Sequence, residues 1–276
     1  MLDLKGRSLF VGGFLLALSV FFTLAPFLYI LATSFKTEIA IATGQIRFTP
    51  TLANYESVLF GRRSNFPNNL WNSLTVAAVS TVLVLAVGVL AAYALERLRY
   101  ARLISRVFLG WTLVFHTLPT LALVGPWYLI FQTLGLYNTL TALVLTHVAL
   151  NLPLTVWLLM SFVREVPPEL EEAARVDGCT PFQVFRKVVL PLIVPGLIAA
   201  GVLAFVFSWN EFSVALTLTS RQAATVPVGI AQFAQQYEIQ NGPMAAASMI
   251  AIVPAVLLMI FGQRFVIQGL TGGAVK

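Results

Sequence analysis

Charged residues are scarce in this chain. Only 10% of its 276 residues are Asp, Glu, Lys or Arg, whereas 58% are hydrophobic and the mean hydropathy is +0.87. Soluble domains carry roughly 25% charged residues, because a surface in contact with water needs them. We therefore expect much of the surface to face lipid, which excludes an ordinary water-soluble globule.

Cysteine and known catalytic motifs are equally scarce. Cys179 is the single cysteine, which excludes an internal disulfide and a cysteine-based metal cluster. The sequence contains no G-x-x-x-x-G-K-[ST], no H-E-x-x-H and no G-x-S-x-G, so we expect no P-loop, no catalytic residues and no metal site in this chain. His116 and His147 lie on different predicted helices, and these spans contain no acid, which disfavours a proton relay.

The basic character of the chain does not indicate nucleic-acid binding. The net charge is +6 and the pI is about 9.8. The basic residues fall in short tracts between apolar runs, which is the usual pattern of membrane-protein loops. We therefore expect this protein to lie in membrane lipid and not to bind nucleic acid.

Five uncharged runs predict six transmembrane helices. The runs cover residues 8–35, 64–95, 107–163, 188–210 and 239–263, and each exceeds the roughly 20 residues that cross a bilayer. The third run is long enough for two crossings, with turn residues near its middle at Gly125-Pro126, Gly135 and Tyr137-Asn138-Thr139. The sequence thus predicts an all-α polytopic membrane protein with one transmembrane domain over residues 1–276. Its six helices are placed at about 9–33, 71–95, 107–130, 139–163, 190–211 and 243–264.

The distribution of basic residues predicts the orientation. With six crossings, twelve of the 17 Lys and Arg residues fall on the side of the two termini, including the cluster Arg97, Arg99, Arg102 and Arg106. Because cytoplasmic loops are enriched in basic residues, both termini are predicted to be cytoplasmic. The first apolar run is longer than the roughly 7–15 residues of a signal-peptide core, so we expect a retained membrane anchor.

The segment between the fourth and fifth spans, residues 164–190, is predicted to form two short helices. Pro168 suits the first turn of one helix, and Gly178 suits the left-handed position after its end. Thr180 and Gln183 match a capping box that begins the second helix, with Pro181 at its first position. Phe182, Phe185 and Val189 are spaced to line one face of that helix.

Two interpretations of this loop are open from local chemistry. It is either an ordinary pair of capped helices on the membrane surface or a docking surface for another protein. The second interpretation rests on Ala173, Ala174 and Gly178, whose small side chains leave a shallow surface, and on the neighbouring acids, which offer ion pairs to a partner.

The loop resembles a known signature. Glu172-Ala173-Ala174 is followed after three residues by Gly178 and after nine more by Val188-Val189-Leu190-Pro191. This pattern is similar to the EAA signature, E-A-A-x3-G-x9-I-x-L-P, of permease subunits of ABC importers, and Val188 in place of Ile is its one departure. The resemblance implies that the loop over 164–190 is a coupling loop contacting a cytoplasmic ATPase. Its expected coupling residues are Glu172, Ala173, Ala174, Asp177, Gly178, Leu190 and Pro191.

Short motifs that are less specific than the loop signature, but similar to motifs of the same family, extend over essentially the whole chain. They are Asn54-Tyr55, Asn72-Ser73, Trp209-Asn210-Glu211 and the tail from Gly269 to Lys276. Together they look like the maltose/trehalose-type carbohydrate branch, and within it the six-span partner of the permease pair. The resemblance implies a type I ABC importer permease fold in the bacterial inner membrane and import of a sugar such as maltose or trehalose. Its implied partners are a second permease subunit, two copies of an ATPase that holds ATP and Mg, and an extracytoplasmic solute-binding protein.

Polar residues within the spans are candidates for the solute pathway. Asn151 lies beside Pro153 in the fourth span, where a polar group is costly unless it pairs or meets water. Ser208, Trp209, Asn210 and Glu211 close the fifth span with an aromatic ring, hydrogen-bonding groups and an acid, which are types that contact sugars. Interhelical packing and interfacial anchoring are the competing interpretations of these residues.

Other functions stay open from the sequence alone. An ABC permease for an amino acid or ion would carry the same loop. A secondary transporter or channel driven by an ion gradient is disfavoured by the scarcity of membrane-embedded charge. A membrane-embedded enzyme lacks a recognisable nucleophile, base or metal set.

Overall fold

The chain folds into helices joined by short connections. The structure is a computed structural model and describes residues 3–62, 64–97, 101–234 and 239–271. The helices are α1 Asp3–Ser34, α2 Glu38–Ala42, α3 Ala53–Phe60, α4 Phe66–Arg97, α5 Ala101–Thr117, α6 Thr120–Thr133, α7 Leu140–Glu165, α8 Pro168–Val176, α9 Pro181–Val184, α10 Leu190–Leu192, α11 Val194–Trp209, α12 Ser213–Leu218, α13 Val226–Ala231 and α14 Asn241–Thr271. A π-helical segment, Phe185–Val189, joins α9 to α10.

The chain divides into two compact units, of which the first comprises residues 1–67 and 229–253. The apolar part of α1 is exposed, with Phe22 and Tyr29 each 68% accessible, as expected for a helix that faces lipid. Asn54 on α3 donates hydrogen bonds to the carbonyls of Ser34, 2.9 Å, and Lys36, 2.8 Å. The Asn54 side chain thus fixes the chain where α1 ends.

The second unit, residues 68–228 and 254–276, holds two apolar clusters. One cluster packs α4, α7 and the π-helical segment around buried residues such as Leu159 and Val189, and the other packs α7 against α12 around Leu143 and Leu218. Helices α7 and α11 approach closely, because a Cβ added at Gly196 would lie 2.3 Å from the Phe162 ring. Small residues at such crossings are typical of packed membrane helices.

Four helical stretches are long and apolar enough to cross a membrane: Gly12–Ser34, Phe66–Arg97, Leu140–Glu165 and Asn241–Phe265. A fifth crossing would be the bent pair Pro181–Leu192 and Val194–Trp209, which meet at 74°. These stretches correspond to the first, second, fourth, sixth and fifth predicted spans. No stretch of this length covers the predicted third span, because two shorter helices, α5 and α6, occupy that part of the described chain.

The third span, predicted as one helix over 107–130, is two helices in the structure. It is divided into α5 and α6 by a break at Leu118 and Pro119. The ring of Pro119 disfavours helical geometry at the residue before it, Leu118. Gly125-Pro126 was expected to be a turn, which is wrong, because both residues lie within α6. Apolar helices tolerate an internal proline when neighbouring groups replace the lost hydrogen bond.

The second predicted turn in this region is confirmed. Gly135 and Asn138 both adopt left-handed backbone geometry, with φ of 68° and 59°, between α6 and α7. The Asn138 side-chain oxygen accepts hydrogen bonds from the backbone N–H groups of Ser220, 2.8 Å, and Ala223, 3.2 Å. The turn therefore also holds the segment that follows α12.

Helix α11 begins four residues later than the fifth span was predicted to begin. The chain bends at Ile193, which is not helical, and α11 starts at Val194. Pro191 and Pro195 lack the backbone N–H groups that a continuous α-helix would use here, and the π-helical segment lies directly before them. The bend separates the loop helices from the apolar helix.

Candidate functional site: the loop between α7 and α11

The first helix of the 164–190 loop has the predicted ends. Helix α8 begins at Pro168, which follows Pro167 at the N-cap, and it ends at Val176. Gly178 follows with a φ of +82°, so its left-handed conformation is confirmed. The N–H of Gly178 donates to the carbonyl of Arg175, and the next N–H donates to the carbonyl of Ala174, both at 3.0 Å. Such bonds satisfy the carbonyls at a helix end.

The second helix of the loop starts with the predicted capping box. The Thr180 hydroxyl accepts a hydrogen bond from the Gln183 N–H at 3.3 Å, and the Gln183 side-chain oxygen accepts from the Thr180 N–H at 2.8 Å. Pro181 occupies the first helical turn. This reciprocal pair fixes the direction in which the chain leaves Gly178.

The outward face of the loop carries acidic and apolar side chains together with the basic Arg175, which is also exposed. Glu172, Ala173 and Asp177 are exposed, and the Val176 side chain is 88% accessible. Phe182 is also exposed, at 66%. These residues can therefore be reached by another protein.

The inward face of the loop packs into the apolar cluster of the second unit. Phe185 and Val189 are buried, whereas Phe182, predicted on the same face, is exposed. Phe182 still lies beside Phe185, with ring centroids 6.4 Å apart, so the two share a face as predicted, but the Phe182 ring extends into the accessible surface. Of the last signature residues, Leu190 packs against this cluster and Pro191 is exposed.

A buried ion pair ties α8 to the end of α4. The Arg97 Nε donates to Glu171 Oε1 at 2.6 Å, and Glu171 is only 3% exposed. The Tyr93 hydroxyl donates to the other carboxylate oxygen at 2.9 Å. We call these three residues the Arg97 anchor. The sequence analysis missed it, since Arg97 was used only as evidence of orientation.

The Arg97 anchor also reaches the end of α7. Arg97 Nη2 donates to the backbone carbonyls of Val163, 2.8 Å, and Val166, 2.6 Å. Both carbonyls belong to the last residues of α7 and its C-cap, where helix carbonyls lack intrahelical partners. One guanidinium therefore joins α4, α7 and α8.

Asn151, a predicted pathway residue, lines a small cleft between α7 and α11. The cleft is also lined by Thr155 and Phe207. The Asn151 amide nitrogen donates to the carbonyl of His147 one turn earlier, at 2.9 Å, so its side-chain oxygen is not used by that bond. A role in the pathway stays a prediction.

Ser208, a second predicted pathway residue, belongs to a buried polar chain across three helices. Its hydroxyl lies 2.6 Å from His147 Nδ1 on α7 and 3.1 Å from the Ser80 hydroxyl on α4. His147 Nε2 lies 3.8 Å from Glu211 Oε2. The expectation that His147 has no acid nearby is therefore wrong, because the chain brings Glu211 to it from beyond the end of α11.

Trp209, Asn210 and Glu211 make local contacts at the end of α11. The Trp209 ring is buried and stacks on Phe205, with centroids 5.8 Å apart. The Asn210 amide donates to the carbonyl of Val206 at 2.9 Å, and the Glu211 carboxylate accepts from the N–H of Val214 at 3.0 Å. Glu211 thus satisfies free donors at the start of α12. Within the described ranges, no three His, Cys, Asp or Glu side chains form a group that could hold a metal ion.

The family model that matches residues 84–268 describes a binding-protein-dependent transport system inner membrane component. The matched region includes α7, the 164–190 loop and α11. The chain belongs to this family. It is a permease subunit of an ABC importer, a multi-pass membrane protein and not an enzyme, and the ATPase of such a transporter is a separate chain.

Relatives of this permease match it along nearly its whole length. The trehalose transport system permease protein SugB of Mycobacterium tuberculosis is 38% identical and covers 94% of each chain. The trehalose/maltose transport system permease protein MalG of Thermococcus litoralis is 35% identical, covering 99% of this chain and 98% of the relative. A permease chain in the crystal structure of a bacterial ABC transporter that imports alginate has the same fold, with a TM-score of 0.77, 21% identity and coverage of 92% and 94%.

Proposed function

We propose that this permease forms one half of a permease heterodimer in a bacterial ABC importer for a di- or oligosaccharide. In this assembly the chain crosses the inner membrane six times, as one domain over residues 1–276, with both termini in the cytoplasm. Two copies of an ATPase bind ATP and Mg, and an extracytoplasmic protein delivers the solute.

The single observation that carries the coupling role is the division of α8 into two faces. Glu172, Ala173, Val176 and Asp177 are accessible, whereas Glu171 is buried and bonded to α4. A firmly attached helix that exposes acidic side chains beside Val176 and Arg175 suits a cleft that offers both charged and apolar groups. ATP-driven closure of the ATPase pair then moves the 164–190 loop, and the helices alternate between inward and outward access.

The sugar class is supported by the relatives named for trehalose and for trehalose and maltose. Asn151 and Phe207 both line the cleft, and an amide and an aromatic ring are side-chain types that contact sugars. The open space of about 10 Å³ holds only a water molecule, so a sugar would enter this cleft only when the helices move apart. Asn210 is exposed at the end of α11 and is a second candidate contact. Ser208, Trp209 and Glu211 are engaged in contacts within the chain, so we assign them to shaping the pathway.

The test uses the complete complex, reconstituted in proteoliposomes with the solute-binding protein and solute outside and ATP inside. A panel of disaccharides, oligosaccharides, amino acids and ions is measured for stimulation of ATP hydrolysis and for uptake. We expect one sugar class to stimulate both. Uptake that persists without ATP and collapses with an ionophore would refute the ATP-driven mechanism, and stimulation by an amino acid alone would refute the sugar assignment.

A further inference from the structure

The Arg97 anchor pairs the whole Glu171 carboxylate with α4. Both oxygens of the Glu171 carboxylate are bonded to α4, one by Arg97 and one by Tyr93. Arg97 and Tyr93 are four residues apart, so they lie on the same face of α4. A buried carboxylate with each oxygen paired to one rigid helix fixes both the position and the rotation of α8.

The second helix of the loop is also held to α4, by an aromatic contact. The Tyr93 ring lies 5.1 Å from the ring of Phe185, which begins the π-helical segment. Tyr93 therefore contacts both helices of the 164–190 loop, one through its hydroxyl and one through its ring. The two helices share one attachment on α4.

The neighbouring ion pair provides a comparison. Glu96 on α4 accepts hydrogen bonds from Arg164 on α7, at 2.8 and 3.1 Å, but the Arg164 side chain is 65% exposed. This pair joins α4 to α7 without contacting α8. Exposed pairs of this kind contribute little to stability, because water screens them.

We propose that Arg97 is a positioning residue that transmits movement of α8 directly to α4. Because its guanidinium holds Glu171 and the end of α7 at once, α4, α7 and α8 move together when the ATPase moves the loop. This inference rests on the proposed coupling role of the loop, and it adds that α4, which is outside the EAA signature, receives the motion together with α7.

The test measures solute molecules imported per ATP hydrolysed by the reconstituted complex. The variants are Arg97→Gln, which removes all three guanidinium contacts, and Glu171→Gln, which removes the charge of the partner. We expect the ratio to fall about tenfold or more, within the range of coupling between linked sites, while the amount of assembled complex and its ATP hydrolysis persist. The double variant should be no worse than either single one, since all three break the same contact.

Two further variants separate transmission from general stability. Glu96→Gln breaks the neighbouring ion pair from the adjacent position of α4, and we expect a wild-type ratio. Tyr93→Phe removes one hydrogen bond but keeps the ring against Phe185, so it should lower the ratio with little risk to folding. Arg97→Lys keeps the charge but not the fork of contacts, and we expect partial recovery relative to Arg97→Gln.

The outcomes distinguish this inference from the proposed function. If the wild-type complex imports no solute on ATP hydrolysis, the proposed function fails. If the wild-type complex works and Tyr93→Phe and Arg97→Gln keep its ratio, only the anchor inference fails. An equal loss in Glu96→Gln would also overturn it, because the effect would then not depend on α8.

Discussion

Replacing Gly178 tests whether the turn between the two loop helices sets the coupling geometry. Gly178 has a φ of +82°, and a Cβ added there would meet nothing within 4 Å. A Cβ at position 178 therefore displaces no neighbouring atom, and we take backbone strain as the main cost of Gly178→Val. An L-residue in the left-handed region costs roughly 1–2 kcal/mol, and a β-branched side chain makes this worse.

That cost is large for a loop and small for the whole protein. A change of about 1–2 kcal/mol alters a local equilibrium by a factor of roughly 5–30. The turn is held by hydrogen bonds to the carbonyls of Ala174 and Arg175, both of 3.0 Å, which close the end of α8. Gly178→Val should thus shift the path between α8 and α9 without preventing membrane insertion.

The assay compares Gly178→Val with Gly178→Asn in proteoliposomes. Asn adopts left-handed geometry far more readily than Val, so it keeps the turn while adding a side chain. We expect Gly178→Val to lower import per ATP about 5–30-fold, in line with the strain, and Gly178→Asn to stay close to wild type. Normal import by the Val variant would refute the coupling role of this turn, and equal losses in both would show that left-handed geometry is not the cause.

Three other changes test the fold and the pathway. Thr180→Ala removes one side of the capping box and should weaken α9 by about 1 kcal/mol, seen as roughly fivefold faster hydrogen exchange of its amides; unchanged exchange would contradict this. Gly196→Ala places a methyl group 2.3 Å from the Phe162 ring and should lower the thermal midpoint of the purified complex. The matched Gly125→Ala, which meets nothing within 4 Å, should not, and a similar loss in both would argue against close packing. Asn151→Leu should raise the KM for sugar uptake several-fold with unchanged ATPase, and an unchanged KM would remove Asn151 from the pathway.

The loop was predictable because its chemistry is local. Pro168, Gly178, Thr180 and Gln183 each act on backbone groups within a few residues, so their roles could be derived from spacing. The break in the third span was not predictable in this way. Pro119 and Pro126 look alike in sequence, and only the surroundings of the folded helix determine which proline ends it.

The polar contacts inside the second unit depend on long-range approach. Arg97 and Glu171 are 74 residues apart in the sequence, and His147 meets Glu211 from a different helix. The sequence places Arg97 in the basic cluster that follows the second predicted span and Glu171 within the 164–190 loop. Neither placement indicates that the two meet, because the fold of the whole unit brings them together.

Adjacent acids on α8 have different environments for a geometric reason. Successive residues of an α-helix are rotated by about 100°, so Glu171 and Glu172 cannot face the same side. Glu171 is buried against Arg97, while Glu172, the first residue of the EAA signature, is exposed. A helix that transmits force needs both properties, since it must be attached on one side and accessible on the other. The number of acids in the loop therefore says little about docking. The position of each acid around the helix determines whether it anchors α8 or is accessible for the proposed contact with the ATPase.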